Sequence, residues 1–103
     1  MADDRRHDLE VSPEFWEPIE SGQKTFEVRY AADRDFRVDD ILHLREWDAS
    51  IPTPEGERWT TQVGYTGRET FRRISYVLGG EQWGLHRDYV VLALASTTGG
   101  GNG

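Results

Sequence analysis

The sequence predicts an α+β fold, or a barrel plugged by a helix. Three observations lead there. A single short segment near the start carries helix start and stop signals, and several strand-like segments separated by turn residues follow it. The chain has 103 residues, one domain's worth, and 12% of them are aromatic, as suits the core of a small β-structure.

The elements can be justified in order. Residues 1–6 are charged, and a short strand is expected from His7 to Val11, with Leu9 and Val11 on one side. Ser12-Pro13 then marks a helix start, where the serine can cap free N–H groups and proline suits the first turn. Glu14 sits near the positive helix end, Phe15 and Ile19 share a face, and Gly22 ends the helix, so it runs over about 13–21. Pro18 falls inside it and predicts a short or kinked helix.

The stretch from Lys24 to Arg29 alternates strictly. Phe26 and Val28 point one way, expected inward, with Thr25, Glu27 and Arg29 on the other side. A polar loop follows over 30–35, then a bend with Phe36 and Val38 inward. Ile41 to Trp47 is the strongest strand signal, with Leu42, Leu44 and Glu46 on one face and Ile41, His43, Arg45 and Trp47 on the other. Residues 48–61 form a long loop with Pro52, Pro54 and Gly56, expected to be the least ordered internal segment. Thr66-Gly67 marks a turn, Thr70 to Leu78 is a strand broken by Gly79-Gly80, and Tyr89 to Ala95 is a final buried strand. The expected core is Phe15, Ile19, Phe26, Val28, Ile41 or Leu42, Leu44, Val77, Val91 and Leu94. Both ends, 1–6 and the Gly-rich 97–103, are expected to be disordered around a domain over 7–96.

Composition excludes several classes. There is no cysteine, hence no disulfide framework and no thiolate-bound zinc, which fits a reducing cytoplasm. No apolar run approaches the length needed to span a membrane, and the charged start is not a signal peptide. A formal net charge of −7 argues against non-specific duplex DNA binding. His7, His43 and His86 show no metal-ligand spacing, so no metal and no cofactor are assigned.

Several segments, taken together and in order, resemble the ASCH domain of the PUA-like superfamily, closest to its small bacterial and phage branch of uncharacterised domains. They are His7-x-Leu9, the helix with Phe15, and Ser21-Gly22-Gln23-Lys24-Thr25-Phe26-Glu27-Val28-Arg29. Phe36-x-Val38-x-Asp40 and Leu42-x-Leu44-x-Glu46-Trp47 follow, then Tyr65-Thr66-Gly67-Arg68, Tyr76-Val77-Leu78, Gly84-Leu85 and Tyr89-Val90-Val91-Leu92. Asp39 stands where relatives usually carry glycine; Asp tolerates left-handed backbone better than most residues.

The resemblance implies a bent barrel of about five or six strands with one early helix, and a cleft between the helix end and the strands. It further implies binding of RNA or a modified nucleoside. Some small relatives are amidohydrolases that act on acetylated cytidine with a lysine, a threonine and a glutamate. Lys24 matches that lysine and Arg29 the motif's arginine, but the threonine position is Glu27, and Glu46 is the candidate third group.

Read on their own, Lys24, Glu27 and Arg29 are either a solvated ion-paired face or a recognition cluster in which Glu27 accepts from a base amine and Arg29 contacts a phosphate. Glu46 continues an apolar face and needs a cationic partner, Lys24 or an arginine. Arg68, Arg72 and Arg73 are either solubilising or phosphate-contacting. The ligand site is therefore expected where Lys24, Glu27 and Arg29 meet Glu46, Tyr65 and Arg68, with Trp47 or Trp83 as a stacking wall. Lys24, Glu27 and Glu46 are the candidates for any catalysis. Two other readings remain: an amidohydrolase- or nuclease-like enzyme, and an interaction module whose acidic surface occupies a basic protein partner. A homodimer is compatible with each.

Overall fold

The computed structural model describes residues 5–51 and 64–97. Among these residues, five strands and one helix run in the order β1 (Arg6–Val11), α1 (Pro13–Glu20), β2 (Phe26–Tyr30), β3 (Ile41–Trp47), β4 (Tyr65–Leu78) and β5 (Tyr89–Ala95). They form one mixed sheet of order β1-β3-β4-β5-β2, curved into a half-barrel. Only β1 and β3 pair in parallel, with Leu9 opposite Leu44; the other pairs are antiparallel. The first and last strands of that order, β1 and β2, are the two free edges, joined in sequence by α1.

Helix α1 starts at Pro13, whose missing N–H falls where no intrahelical bond would form. The Ser12 carbonyl accepts from Phe15 N–H at 3.0 Å, but its hydroxyl makes no cap. Pro18 keeps the helix to eight residues, and Gly22 ends it at φ +86°, its N–H bonding the Ile19 carbonyl. The helix buries Trp16 and Ile19 against Leu9, Val11, Phe36, Leu42, Leu44, Ile74 and Leu92.

Several expectations are corrected by this packing. Phe15 is 44% exposed, and Trp16 takes its place in the core, its indole N–H donating to Glu20 at 2.8 Å. On β2 the alternation holds but its sense is reversed: Phe26 and Val28 are 44% and 46% exposed, while Glu27 is 6% exposed. Val38 faces solvent, and of the bend's two apolar side chains only Phe36 is buried. On β5 Leu92, not Val91, is buried, while Val77 and Leu94 pack at the rim of the core.

Thr66-Gly67 is no turn between elements. β4 runs straight through it, with Gly67 at φ +100° and a register shift opposite Arg45 and Trp47. β1 begins at Arg6, one residue inside the stretch expected to be disordered. Residues 1–4 and 98–103 and most of the 48–61 loop lie outside the described residues.

Asp40 ties the first strand to the third. Its buried carboxylate accepts from Arg5 Nε and His7 Nε2, both at 2.8 Å, and from Arg37 N–H at 3.0 Å. Asp39, before it, adopts φ +79°, the left-handed turn that the sequence allowed.

Candidate functional site

The half-barrel leaves a seam between the edges of β1 and β2. On either side of β2, the Thr25 carbonyl accepts from Leu94 N–H of β5 and the Ala31 N–H donates to the Asp88 carbonyl just before β5, so the backbones of Glu27 and Arg29, an even number of residues away, turn toward β5 as well. Their side chains point into the half-barrel. Arg29 crosses the seam, donating from Nη2 to the Glu10 carbonyl of β1 at 2.6 Å.

Glu27 lies at the centre of this arrangement. Lys24 Nζ is 3.5 Å from one carboxylate oxygen and Arg29 Nε 3.4 Å from the other. Neither approach is a hydrogen bond. Glu27 Oε2 and Arg29 Nε are both buried and without a hydrogen-bonding partner among the described residues. The pair is neutralised at a distance but unsatisfied at contact, and buried polar atoms are normally satisfied. Lys24 donates instead to the Phe26 carbonyl at 2.8 Å and lies over the rings of Phe15 and Phe26.

Two small cavities open on either side of Arg29. One, of about 220 Å³, is lined by Glu10, Val11, Ser12, Phe15, Glu27, Val28 and Arg29. The other, of about 290 Å³, is bounded by Asp8, Leu9, Glu10, Arg29, Arg34, Arg45 and Tyr65. They share Glu10 and Arg29. The Tyr65 hydroxyl donates to Glu10 Oε2 at 2.9 Å, and the Arg45 guanidinium lies 3.8 Å over the Tyr65 ring. Burial, together with that bond to Glu10, pushes the Tyr65 phenol up from its ordinary pKa.

Glu46 belongs to a separate cluster under the helix. It is buried, accepts from the Thr66 hydroxyl at 2.7 Å and pairs with Arg68 at 3.3 Å; Arg68 also reaches Glu17 of α1. The partner required by its burial is thus Arg68 rather than Lys24. Arg72 and Arg73 are engaged too, Arg72 with the Ile19 carbonyl and Arg73 with Asp39.

The expected site is therefore divided. Glu27, Arg29 and Tyr65 converge around Glu10, with Lys24 beside Glu27, whereas Glu46 and Arg68 pair elsewhere. Trp47 packs on Gly64, where an added Cβ would fall 2.2 Å from the indole. Trp83, 90% exposed, sits on the loop leaving the far end of β4 and lines neither cavity. The seam residues that sequence reasoning passed over are Glu10, Ser12, Arg34 and Arg45, with Phe15 misassigned to the core. Polar alternation on β1 was the one signal for Glu10. A larger open cleft of about 650 Å³ lies beyond Lys24, between the end of α1, β4 and the end of β5. No group of side chains suited to hold a metal ion occurs among the described residues, and no described helix is long and apolar enough to cross a membrane.

A family model described as a domain of unknown function (DUF3850) matches residues 6–94. A search of curated proteins found no match.

Proposed function

The chain belongs to the DUF3850 family, and we propose that it is a cytoplasmic nucleotide- or RNA-binding domain of PUA-like (ASCH) type whose ligand enters the seam beside Glu27. The observation that carries this reading is the Glu27 carboxylate. It is buried, flanked by two cations and left with an oxygen free to accept, on the wall of a cavity. A ligand amine, such as the exocyclic amine of cytosine, supplies the missing donor. The half-barrel with one short helix is compatible with a PUA-like architecture, and Phe15 offers an apolar wall next to the carboxylate.

The site favours binding over turnover. The amidohydrolase threonine position is Glu27, and Thr25 lines the larger cleft on the other side. Ser12 lines the Glu27 cavity, and among the described residues no hydrogen bond joins its hydroxyl to Glu27 or Lys24, the contact that would activate it as a nucleophile. Pure protein should release no acetate from N4-acetylcytidine. Turnover that Lys24→Ala and Glu27→Ala both abolish would make the protein an enzyme.

Thermal shift with cytidine, uridine and short oligoribonucleotides tests the binding reading. Cytidine should raise the melting temperature more than uridine, which lacks the amine, and Glu27→Gln should erase the difference. No response to any nucleoside or oligoribonucleotide would remove the reading. The net charge of −7 favours a second one, an interaction module for a basic protein. Co-purification with such a partner, together with silence toward nucleotides, would select it.

A further inference from the structure

We propose that the cavity between Arg29, Arg34 and Arg45 is a phosphate subsite, so that the ligand of the seam is a phosphate ester of a nucleoside rather than a free nucleoside. The inference rests on the binding reading for Glu27 and adds to it the second half of the ligand.

Charge is the first ground. The chain carries 12 basic residues against 19 acidic ones. Most described arginines lie against acidic or carbonyl oxygens elsewhere: Arg5 on Asp40, Arg37 on Asp35, Arg68 on Glu46, Arg72 on the Ile19 carbonyl and Arg73 on Asp39. Three further arginines converge on one cavity of about 290 Å³, from three different elements. Arg29 comes from β2, Arg45 from β3, and Arg34 from the loop after β2.

The two carboxylates in the same wall are already engaged. Asp8 meets Arg6 at 3.3 Å and His43 at 3.1 Å, and Glu10 accepts from the Tyr65 hydroxyl. Arg34 has no carboxylate partner among the described residues, its guanidinium lying 5.6 Å over the Phe36 ring. Arg29 spans the two cavities, its Nε 3.4 Å from Glu27 and its Nη2 donating to the Glu10 carbonyl. Arg45 is held flat on Tyr65, which fixes the plane of its fork. Planar guanidiniums converging from several sides suit a tetrahedral oxyanion, to which they donate paired charge-assisted bonds.

The position of the cavity sets the class of ligand. It shares Glu10 and Arg29 with the cavity holding the Glu27 carboxylate, so one molecule can place an amine donor on Glu27 and an anion among the arginines. At about 290 Å³ and 220 Å³, the two together reach the size of ordinary small-ligand sites. A base at one end and a phosphate at the other, with Arg29 between them, describes a nucleotide. A free 5′-monophosphate and an RNA phosphodiester share this chemistry.

Calorimetric titration separates the halves, using cytidine, adenosine, their 5′-monophosphates and the dinucleotide CpC. Each additional charge-assisted hydrogen bond to the phosphate should tighten binding by about tenfold. The better-bound monophosphate should therefore bind at least about tenfold tighter than its nucleoside, with an advantage that shrinks as salt rises. Arg34→Gln, on an exposed loop, should reduce that advantage, weakening monophosphate binding more than nucleoside binding; Arg45→Gln should do the same. Tight CpC binding identifies RNA as the source and a monophosphate-only gain identifies a free nucleotide, and either supports the subsite. Equal affinity for nucleoside and monophosphate, or an advantage that survives both substitutions, overturns the subsite and leaves the Glu27 reading intact. Binding of none of the five overturns both.

Discussion

A carboxylate withdrawn from water and faced by two cations at 3.4–3.5 Å is electrostatically stable yet short of hydrogen bonds. Glu27 is in that state because its neighbours on β2 face solvent while it faces the half-barrel. The strict alternation of β2 was legible in the sequence, but period-two patterning gives two faces without saying which turns inward. On an edge strand the apolar face need not be the buried one, and here the Lys24 and Arg29 stems accompany Glu27 inward instead. Phe26→Ser should therefore change stability by less than about 0.5 kcal/mol, as for surface positions. Trp16→Ala should cost roughly 3–5 kcal/mol, because it opens a cavity under α1. Urea denaturation of the two variants checks both values, and a large loss from Phe26→Ser would return that ring to the core.

At the level of elements, β3 and β5 were read with the bounds they have, since apolar alternation in β3, an unbroken apolar run in β5 and flanking turn residues specify them locally. The helix was also legible from Ser12-Pro13 and Gly22. β4 was not, because Thr66-Gly67 has the local chemistry of a turn. What keeps it within the strand is tertiary: the Thr66 hydroxyl bonds Glu46 of β3, and Gly64 makes room for the Trp47 ring. Gly64→Ala places a Cβ against the indole at a φ of +89°, and should cost about 2 kcal/mol, read as a lowered urea midpoint.

The junction of β1 and β3 carries a pH signature. Burial alone would raise the Asp40 carboxyl; hydrogen bonds from Arg5, His7 and the Arg37 amide outweigh it and hold the group below its ordinary 3.8. A carboxyl whose folded pKa is depressed stabilises fully above the unfolded value and loses that contribution as pH falls through the folded one. Stability should therefore drop as pH falls below about 4. Asp40→Asn should lower stability by about 2 kcal/mol near neutrality and flatten the acid limb. Guanidinium denaturation at stepped pH is the check; an acid limb unchanged in the variant would assign it to other carboxylates.

For the whole molecule, the consequential feature is the sheet order, which leaves β1 and β2 as facing edges with Arg29 reaching across. That order brings Glu10, Arg45 and Tyr65 to the same seam as Glu27, although they lie 17 or more positions from it in the chain. No local pattern encodes such proximity, which is why Glu10 and Arg45 were not expected at the seam, whereas Glu27 and Arg29 stand out within β2 itself. Binding of the ligand in this seam is tested most directly by amide chemical-shift mapping during titration with cytidine 5′-monophosphate. The largest shifts should fall on Glu10, Ser12, Phe15, Glu27, Arg29 and Arg34, and shifts confined to the Trp83 loop or to the far side of the sheet would contradict it.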